Sequence, residues 1–386
     1  MRVLLAFDKF KDSLAAGPAC AAAARALQER HPDWQLDFCP LADGGEGFAE
    51  ILTQSAGGSL SSLSVTGPRQ AATNAGFGLV PWKKIPAAAR VLLKLPATLP
   101  ADAEIAVIEM AAASGLALLP ADQRDPWQTT TLGTGQLLAA AAQAGAAAIV
   151  LGVGGSATHD LGLGALSALG LEFPSHSGEN IRPPIPARWD EIERVAGKIS
   201  AALPLIRIAC DVSNPLLGRK GAAAVYGPQK GLLSADLIRL DHASARLGLL
   251  LCTHSGVSDA LMDQPGAGAA GGIAFGLMAA ARARLLPGFE LVAAWLDLGN
   301  RIAAADLIIT GEGRFDASSL SGKGPGAVAT LALARGKPVH LFAGQVTTAD
   351  PRPGLTLHAI SPAGQPLTEA LAAAETNLTA AVARAL

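Results

Sequence analysis

The chain has 386 residues and a formal net charge of −2, from 30 Lys+Arg and 32 Asp+Glu. Half of the residues are hydrophobic but only 4% are aromatic, so the apolar content is mostly Ala, Leu, Val and Ile. This balance excludes an intrinsically disordered chain, and it offers no basic excess for binding nucleic acid or an anionic membrane surface. The length favours two domains, and the 43 Gly favour an α/β protein with closely packed helices and sheets.

The four cysteines, Cys20, Cys39, Cys210 and Cys252, form no C-x-x-C pair. Scattered cysteines in a long chain favour buried, reduced thiols and a cytoplasmic location, and they argue against structural zinc. The N-terminal apolar run is too short for a signal peptide. Residues 137–155 carry no charge, but their apolarity comes mostly from Ala and Gly, so we predict a helix and then a strand rather than a membrane span.

Sequence patterns typical of strands and of helices alternate at the two ends of the chain, whereas the middle contains other patterns. Apolar runs predict strands over 2–7 and 35–40, each followed by a helix, the first of which is capped by Ser13. Residues 59–80 predict hairpins, and the Pro-punctuated residues 81–100 predict a surface excursion. Further strands are predicted at 105–110, 147–155, 205–210, 305–310 and 338–343, the last two separated by a Gly-rich loop and a helix.

These signals predict an α/β fold with two domains. The first is a discontinuous Rossmann- or flavodoxin-like domain with a parallel sheet, built from residues 1–60 and 290–386. A second α/β domain, residues 61–289, is inserted into it. We expect the active site in the cleft between the two domains.

Two glycine patterns have the spacing of a dinucleotide-binding loop. The pattern G-x-G-x-x-G at 266–271 follows no strand, and in a chain this rich in Gly and Ala it is most simply a chance match. The pattern G-x-G-x-x-A at 152–157 follows a predicted strand, and Glu172 lies twenty residues beyond Gly152, where a ribose-binding carboxylate belongs. On spacing alone, this second pattern leaves open a NAD(P)-dependent oxidoreductase that uses the Gly152 loop.

Polar side chains collect where predicted strands end. The carboxyl ends of parallel strands meet at one edge of an open α/β sheet, and ligands bind in the crevice there. Carboxylates can hold Mg²⁺ while Lys and Arg bind phosphate oxygens, so we predict a site for a polyanion and a metal. The simpler alternative is that charged residues favour loop starts. The residues are Asp8, Lys9 and Lys11 after the first strand, Asp43 and Glu46 after the second, and Glu312, Arg314 and Asp316 with Lys323 after the strand at 305–310.

Two Gly-rich loops also follow predicted strands. Residues 154–160 supply small residues, hydroxyls and one carboxylate, and residues 211–231 supply Gly and Lys. Because Gly-rich backbone lets a phosphate approach closely, both loops are candidates for phosphate binding. The alternative is that they are tight turns in a Gly-rich protein.

Six motifs span nearly the whole chain: DKFKDSL (8–14), PLADGGEG (40–47), GGSATHD (154–160), DVSNPLLG (211–218), YGPQKG (226–231) and GEGRFD (311–316). In this order they resemble the glycerate kinase family, of the bacterial type that makes 2-phosphoglycerate. The resemblance implies a two-domain α/β fold and ATP- and Mg²⁺-dependent phosphoryl transfer to D-glycerate. It also reassigns the 154–160 loop away from NAD.

The resemblance and the strand ends together suggest roles for individual residues. We expect a general base at Asp8 or Asp211, with Lys9 and Lys11 in the same catalytic group. Asp43 and Arg314 are expected to bind substrate, and Glu46 and Asp316 the metal, with Asp43 and Glu312 as alternative metal or ribose partners. Nucleotide and phosphate binding is expected at Gly154, Gly155, Ser156, Thr158, Lys230, Gly311, Glu312, Gly313 and Lys323.

The chain departs from the family pattern at three places. His159 stands where Asn is expected, Ser318-Ser319 replaces Gln-Thr, and Asp12 takes a position that is often Gly. The first two substitutions keep hydrogen-bonding capacity, so we expect them to affect contacts with nucleotide or substrate rather than the activity.

The expected partners are D-glycerate and ATP, with no nucleic acid and no membrane, and the chain is expected to be a monomer or a homodimer. The rival from another class is a non-catalytic binding protein with a periplasmic-type cleft. Such a cleft would not need so many strand-end carboxylates.

Overall fold

The computed structural model describes residues 1–316, 319, 324–348, 350 and 352–386. It divides into two compact units: a terminal unit, Met1–Asp43 with Val292–Leu386, and a central unit, Gly44–Leu291. The domain limits inferred from the sequence, 1–60 with 290–386 and 61–289, stay a prediction.

Strands and helices are numbered along the chain. The strands are β1 (Arg2–Phe7), β2 (Gln35–Phe38), β3 (Ser59–Thr66), β4 (Ala72–Pro81), β5 (Glu104–Glu109), β6 (Ala148–Gly152), β7 (Leu171–Glu172), β8 (Ala196–Gly197), β9 (Leu205–Ala209), β10 (Arg284–Leu286), β11 (Leu307–Phe315), β12 (Val339–Val346) and β13 (Leu355–Ala359). The helices are α1 (Ala16–Arg30), α2 (Phe48–Ser55), α3 (Ala87–Leu93), α4 (Ala111–Ser114), α5 (Leu132–Gln143), α6 (Leu163–Ala168), α7 (Ala222–Tyr226), α8 (Leu237–Ser255), α9 (Ala269–Ala281), α10 (Gly288–Trp295), α11 (Leu298–Ala304), α12 (Gly324–Leu333), α13 (Leu367–Ala372) and α14 (Ala374–Ala385).

The terminal unit is built on a parallel sheet in the order β2-β1-β11-β12-β13. Numbered within the unit, this is the flavodoxin-like order 2-1-3-4-5, which confirms the predicted fold class. The order reverses between β1 and β11, where Phe7 lies opposite Gly311. In open α/β sheets, ligands bind beside this point at the carboxyl ends of the strands.

The apolar residues of β1 explain why its limits could be predicted. Val3, Leu5 and Phe7 pack in one cluster with α1 and α14, and α11 and α12 also contact β1. A strand covered by helices is apolar along its whole length rather than at alternate positions. The run at 2–7 has this pattern, and β1 spans Arg2–Phe7 as predicted.

The central unit is built on a mixed sheet in the order β10-β9-β6-β5-β4-β3. Strands β5, β6, β9 and β10 are parallel to one another, and β3 and β4 form an antiparallel hairpin in which β4 pairs antiparallel with β5. The hairpin confirms the prediction for residues 59–80. Residues 81–100, predicted as a surface excursion, contain helix α3. The guanidinium of the buried Arg207 holds the end of this helix, because it donates to the carbonyl oxygens of Leu93 at 2.7 Å and Lys94 at 3.0 Å.

Residues 137–155 divide as predicted into a helix and a strand. Helix α5 ends at Gln143 and β6 begins at Ala148, with Gly145 between them at a φ of 85°, a conformation that favours glycine. Among the residues that the structure describes, no helix combines the length and apolarity needed to cross a membrane.

Two local predictions are wrong. Ser13 does not cap α1, because Ala15 precedes that helix and the Ser13 hydroxyl donates to the Phe10 carbonyl oxygen at 3.0 Å. The Gly-rich segment after residue 310 is not a loop at its start, because pairing with β12 keeps the chain in β11 as far as Phe315. This cross-strand pairing overrides the weak strand propensity of Gly and charged residues.

Helix α9 supplies a test of the packing in the central unit. A Cβ added at Gly276 would lie 2.0 Å from the backbone carbonyl oxygen of Leu161. Alanine in place of glycine normally stabilises a helix by about 1 kcal/mol. Here overpacking against rigid backbone costs about 1–3 kcal/mol, so we expect Gly276→Ala to lower the Tm in thermal unfolding.

The matched control is Gly299→Ala in α11. Its added Cβ would meet only the end of the Arg335 side chain, at 3.8 Å, so the Tm should stay the same or rise. A Gly276→Ala protein at least as stable as the wild type would contradict the close approach of α9 to Leu161.

Candidate active site

Asp8 directly follows β1 where the strand order reverses, and its side chain is buried. Its Oδ1 accepts a hydrogen bond from the Lys9 backbone N–H at 2.7 Å, and its own N–H donates to the Gly311 carbonyl oxygen at 2.9 Å. Burial raises the pKa of Asp8 to about 7, helped by the charges of Asp43 and Glu312 and opposed by that of Lys9. A carboxylate with a pKa near neutrality can accept a proton at pH 7, as a general base must.

Lys9 and Lys11 follow Asp8 in the loop after β1. The ammonium Nζ of Lys9 lies 2.8 Å from Asp43 Oδ1, in an ion pair whose carboxylate is half-exposed. The Lys11 backbone nitrogen lies against β11, where a Cβ added at Gly313 would be 3.0 Å from it. The structure therefore brings the predicted residues Asp8, Lys9 and Asp43 together and places the backbone of Lys11 beside β11.

Gly311, Glu312 and Gly313 belong to β11 rather than to a loop. A Cβ added at Gly311 would lie 2.2 Å from the Phe342 carbonyl oxygen, so this position requires glycine. Burial raises the pKa of Glu312 to about 7, and the charges of Asp316 and Asp43 raise it further, although a hydrogen bond with Ser319 lowers it. Its Oε1 is buried and has no hydrogen-bond partner in the described part of the chain.

Arg314 and Asp316 lie at the end of β11. Arg314 Nε is 3.4 Å from Asp316 Oδ2, and the arginine side chain is largely exposed. The backbone N–H of Asp316 donates to Ser319 Oγ at 3.2 Å, so one serine of the Ser318-Ser319 departure shapes the turn after β11. Ser318 and the predicted phosphate ligand Lys323 lie outside the described residues.

The acidic side chains of the terminal unit fit a hard cation. The raised pKa values of Asp8 and Glu312, and the unsatisfied Glu312 Oε1, indicate carboxylates with too little positive charge around them. Over the described ranges, no three His, Cys, Asp or Glu side chains are already grouped around a metal position. Because Mg²⁺ commonly uses one or two carboxylates together with waters and substrate phosphates, this donor set is compatible with it.

In the central unit, the loop at 154–160 is folded inward. The Gly154 N–H donates to the Gly44 carbonyl oxygen at 2.9 Å, and Gly155 has a φ of 68°, in the left-handed region that favours glycine. A Cβ added at Gly155 would lie 2.5 Å from Glu46 Oε1. The predicted metal ligand Glu46 therefore lies directly beside the predicted phosphate loop.

Lys230 places its ammonium group inside this loop. Its Nζ donates to Ser156 Oγ at 2.8 Å and to the Thr158 carbonyl oxygen at 2.6 Å. Burial lowers the pKa of Lys230 to about 7, and the charge of Asp160 partly opposes that shift. The structure thus unites three predicted phosphate-binding residues, but the Lys230 residue itself is only 1% exposed.

Asp160, which received no role from the sequence, organises the loop. Its Oδ2 accepts hydrogen bonds from the Thr131 backbone N–H at 2.7 Å, the Thr131 hydroxyl at 2.9 Å and the Gly164 N–H at 3.2 Å. Its Oδ1 accepts one from the Gly162 N–H at 3.1 Å. Burial raises the pKa of Asp160, and these hydrogen bonds lower it. The available signal was an Asp just before a helix start, the position at which carboxylates bind free backbone N–H groups.

His159, which replaces the expected Asn, connects the loop to α8. The Ser244 hydroxyl donates to the Leu240 carbonyl oxygen at 2.7 Å, so we assign the imidazole proton to Nε2, which donates to Ser244 Oγ at 3.1 Å. Burial, with the charge of Lys230, lowers the pKa of His159 to about 3, which keeps the ring neutral. This side chain acts in the structure as a buried connection to α8.

Asp211 follows β9 but is engaged at the start of α10. Its Oδ2 accepts the Phe289 backbone N–H at 2.9 Å, and a Cβ added at Gly288 would lie 2.9 Å from the same oxygen. This hydrogen bond gives Asp211 a structural function at a helix start. Asp8 also accepts a backbone N–H, from Lys9, so the choice between the two predicted bases stays a prediction.

Neither glycine pattern has the geometry of a dinucleotide site. In that site the glycine loop opens directly into a helix, whereas here α6 begins only at Leu163, beyond the pattern at 152–157. Glu172 lies in the separate β7–β8 sheet. In the pattern at 266–271, a Cβ added at Gly271 would lie 2.0 Å from the Thr158 carbonyl oxygen, so this glycine serves close packing.

Comparison with known proteins identifies the family of the chain. A model of the glycerate kinase family matches residues 3–386. The chain belongs to the glycerate kinase family. The Glycerate 2-kinase of Escherichia coli (strain K12) is 38% identical over 351 residues, which are 90% of this chain and 86% of that protein. The Glycerate kinase of Bacillus subtilis (strain 168) is 37% identical over 349 residues, with the same shares of the two chains.

A solved structure extends the likeness to three dimensions. A crystal structure assigned to a glycerate kinase 2 from Salmonella typhimurium LT2 has a TM-score of 0.75 and 36% sequence identity, and the match covers 100% of this chain and 97% of that one. Membership in the glycerate kinase family confirms the resemblance carried by the six motifs, and the oxidoreductase alternative has no support in either the geometry or the relatives.

The backbone of Asp12 explains its departure from the family pattern. Its φ is 62°, a conformation that suits glycine, and Asp is among the other residues that tolerate it best.

The hydrogen bonds of Asp160 lead to a stability prediction. Asp160→Asn keeps the size of the side chain but turns one acceptor into an N–H donor that faces other donors. Leaving buried donors unsatisfied costs about 1–3 kcal/mol each, so we expect a loss of about 2–4 kcal/mol in unfolding free energy, measured in urea. The exposed Asp190→Asn is the matched control, for which no change is expected. Equal stability of the two variants would contradict the role of Asp160.

Proposed function

We propose that this protein is an ATP-dependent glycerate 2-kinase, which transfers the γ-phosphoryl group of ATP to the 2-hydroxyl of D-glycerate. The observation that carries the proposal is the buried Asp8, with a pKa near 7, beside the Lys9–Asp43 ion pair in a member of the glycerate kinase family. The name of the Escherichia coli relative, Glycerate 2-kinase, supports the 2-hydroxyl as acceptor.

Asp8 is the group that we assign as general base. Phosphoryl transfer depends mainly on alignment and charge stabilisation, with little covalent work for the protein. In its deprotonated form, Asp8 accepts the proton of the substrate hydroxyl as that oxygen forms its bond to phosphorus and the bond to ADP breaks. Lys9 supplies a positive charge next to this position. Lys11 and Arg314 are exposed cations suited to the carboxylate of glycerate or to phosphate oxygens.

Glu312 and Asp316 are the carboxylates that would hold Mg²⁺ in the terminal unit. Glu312 is favoured because its buried Oε1 has no hydrogen-bond partner within the described residues. A Mg²⁺ ion held by these carboxylates would supply positive charge to neutralise the phosphates. The role of Glu46 as a metal ligand stays a prediction, supported by its position beside Gly155.

The proposal includes a cytoplasmic location. All four cysteines are free thiols, and Cys20, Cys39 and Cys252 are buried. Burial raises the pKa of both Cys20 and Cys39 to about 12, so these thiols are unreactive. Free thiols are typical of a reducing compartment. A monomeric or homodimeric state stays a prediction.

The product identifies the reaction. We expect the protein, incubated with D-glycerate and Mg²⁺-ATP and then with enolase in the absence of phosphoglycerate mutase, to form phosphoenolpyruvate. Enolase acts on the product only when the 2-hydroxyl carries the phosphate. ADP without phosphoenolpyruvate would show a different acceptor or position, and no ADP would contradict the kinase proposal. Chelation of Mg²⁺ with EDTA should abolish turnover, and readdition of Mg²⁺ should restore it.

The raised pKa of Asp8 predicts how kcat/KM changes at acidic pH. With a pKa of about 7, its carboxyl is protonated at lower pH and cannot accept a proton, so kcat/KM should fall about tenfold per unit below pH 7. We expect Asp8→Asn to lower kcat by about 10²–10⁴-fold. Asp12→Asn, in the same loop but exposed, is the control and should keep near-wild-type kcat. Turnover of Asp8→Asn within a few-fold of the wild type would rule out Asp8 as base.

A further inference from the structure

The charge of Lys230 is buried in the central unit, and no carboxylate of the described residues is in contact with it. Both of its hydrogen bonds in the described chain go to neutral oxygens, Ser156 Oγ and the Thr158 carbonyl. Asp160 acts on it only through its field, which opposes the effect of burial on the pKa of Lys230. A buried charge without a directly paired opposite charge destabilises a folded protein. Some other interaction must therefore favour keeping a lysine here.

The backbone around Lys230 holds the side chain in one orientation. Residues 228–230 form a 3-10 turn, and the Lys230 N–H donates to the Gly227 carbonyl oxygen at 2.9 Å. Gly231 has a φ of 92°, and a Cβ there would lie 2.0 Å from the Arg124 carbonyl oxygen. Only glycine therefore fits at 231, directly after the turn that carries Lys230.

Ser156 is the group through which this charge can act. Its oxygen accepts from Lys230, which leaves its hydroxyl hydrogen to be donated, and no acceptor for that hydrogen occurs in the part of the chain that the structure describes. A hydroxyl that accepts from a cation becomes a stronger donor, because hydrogen bonds in a chain polarise one another. Ser156 is 8% exposed, whereas Lys230 is 1% exposed. A second hydroxyl of the loop, Thr158 Oγ1, is also buried without a partner in that part of the chain.

We propose that Lys230 is a positioning residue, which holds Ser156 so that the serine hydroxyl donates to an anionic oxygen of a bound substrate. The anionic oxygen belongs to a phosphate or a carboxylate, the two groups that a kinase acting on a hydroxy acid must bind. This inference rests on the proposed function and refines the predicted role of Lys230, whose burial places it behind the ligand-contacting group rather than against the ligand.

The test compares Lys230→Met, Ser156→Ala and the double variant in steady-state kinetics. Methionine has a similar length and no charge, and the Tm of Lys230→Met checks that the variant folds. Loss of the charge-assisted donor should raise one KM by about 10–100-fold, with kcat changed less. A rise in the KM for ATP identifies phosphate as the anion, and a rise in the KM for D-glycerate identifies the carboxylate.

The double variant separates action through Ser156 from an independent effect. If Lys230 acts through the serine hydroxyl, the two substitutions should be strongly non-additive, with the double variant close to Ser156→Ala. Additive effects, or an unchanged KM for both substrates in Lys230→Met, would overturn the proposal. The exposed Lys198→Met, in the same unit but outside both candidate phosphate loops, is the matched control and should keep both KM values.

Two further measurements distinguish the possible outcomes. If Lys230→Met does not fold, Ser156→Ala decides: wild-type KM values for both substrates overturn the proposal. Thermal shifts with MgADP alone and with D-glycerate alone give a readout besides activity, and one of the two shifts should shrink in the variants. A wild-type protein inactive on D-glycerate would contradict the proposed function, whereas an active wild type with unaffected variants would contradict only the role of Lys230.

Discussion

The parallel pairing of β1 with β11 is the constraint on which the terminal unit depends. It runs from Val3 opposite Leu307 to Phe7 opposite Gly311, and so joins the two ends of the chain. The register also fixes the chemistry, because the Asp8 N–H donates to the Gly311 carbonyl oxygen and Glu312 follows directly. A slip of one residue would turn Glu312 to the opposite face of the sheet and separate the two carboxylates.

The central unit depends on buried polar groups around the loop at 154–160. Asp160 binds both the start of α6 and Thr131, His159 binds Ser244 of α8, and Lys230 binds two oxygens of the loop itself. Networks of this kind specify one arrangement, because any shift leaves several buried groups without partners. The loop is therefore rigid without a helix or strand of its own.

Features that arise from a local sequence pattern could be predicted, and features that arise from contacts between distant parts of the chain could not. Strand β1 was predictable because continuous apolarity is a local pattern. The strand character of residues 311–315 was not, since it comes from pairing with β12, far away in the sequence. Candidate residues such as Asp8 and Glu312 could be chosen from their positions near strand ends. The burial of Lys230 could not, because lysine is normally exposed and only the folded turn shows where its ammonium lies.

The two units hold uncompensated charge of opposite sign. In the terminal unit, Asp8 and Glu312 have pKa values raised to about 7 because burial and neighbouring carboxylates disfavour the anions. In the central unit, burial lowers the pKa of Lys230 to about 7. Each arrangement lowers stability when nothing is bound, and each is relieved by a ligand of opposite charge: a cation at the carboxylates and an anion near the lysine. Within each unit taken by itself, the burial of charge therefore weakens the protein without a ligand and favours a ligand of opposite charge over a neutral one.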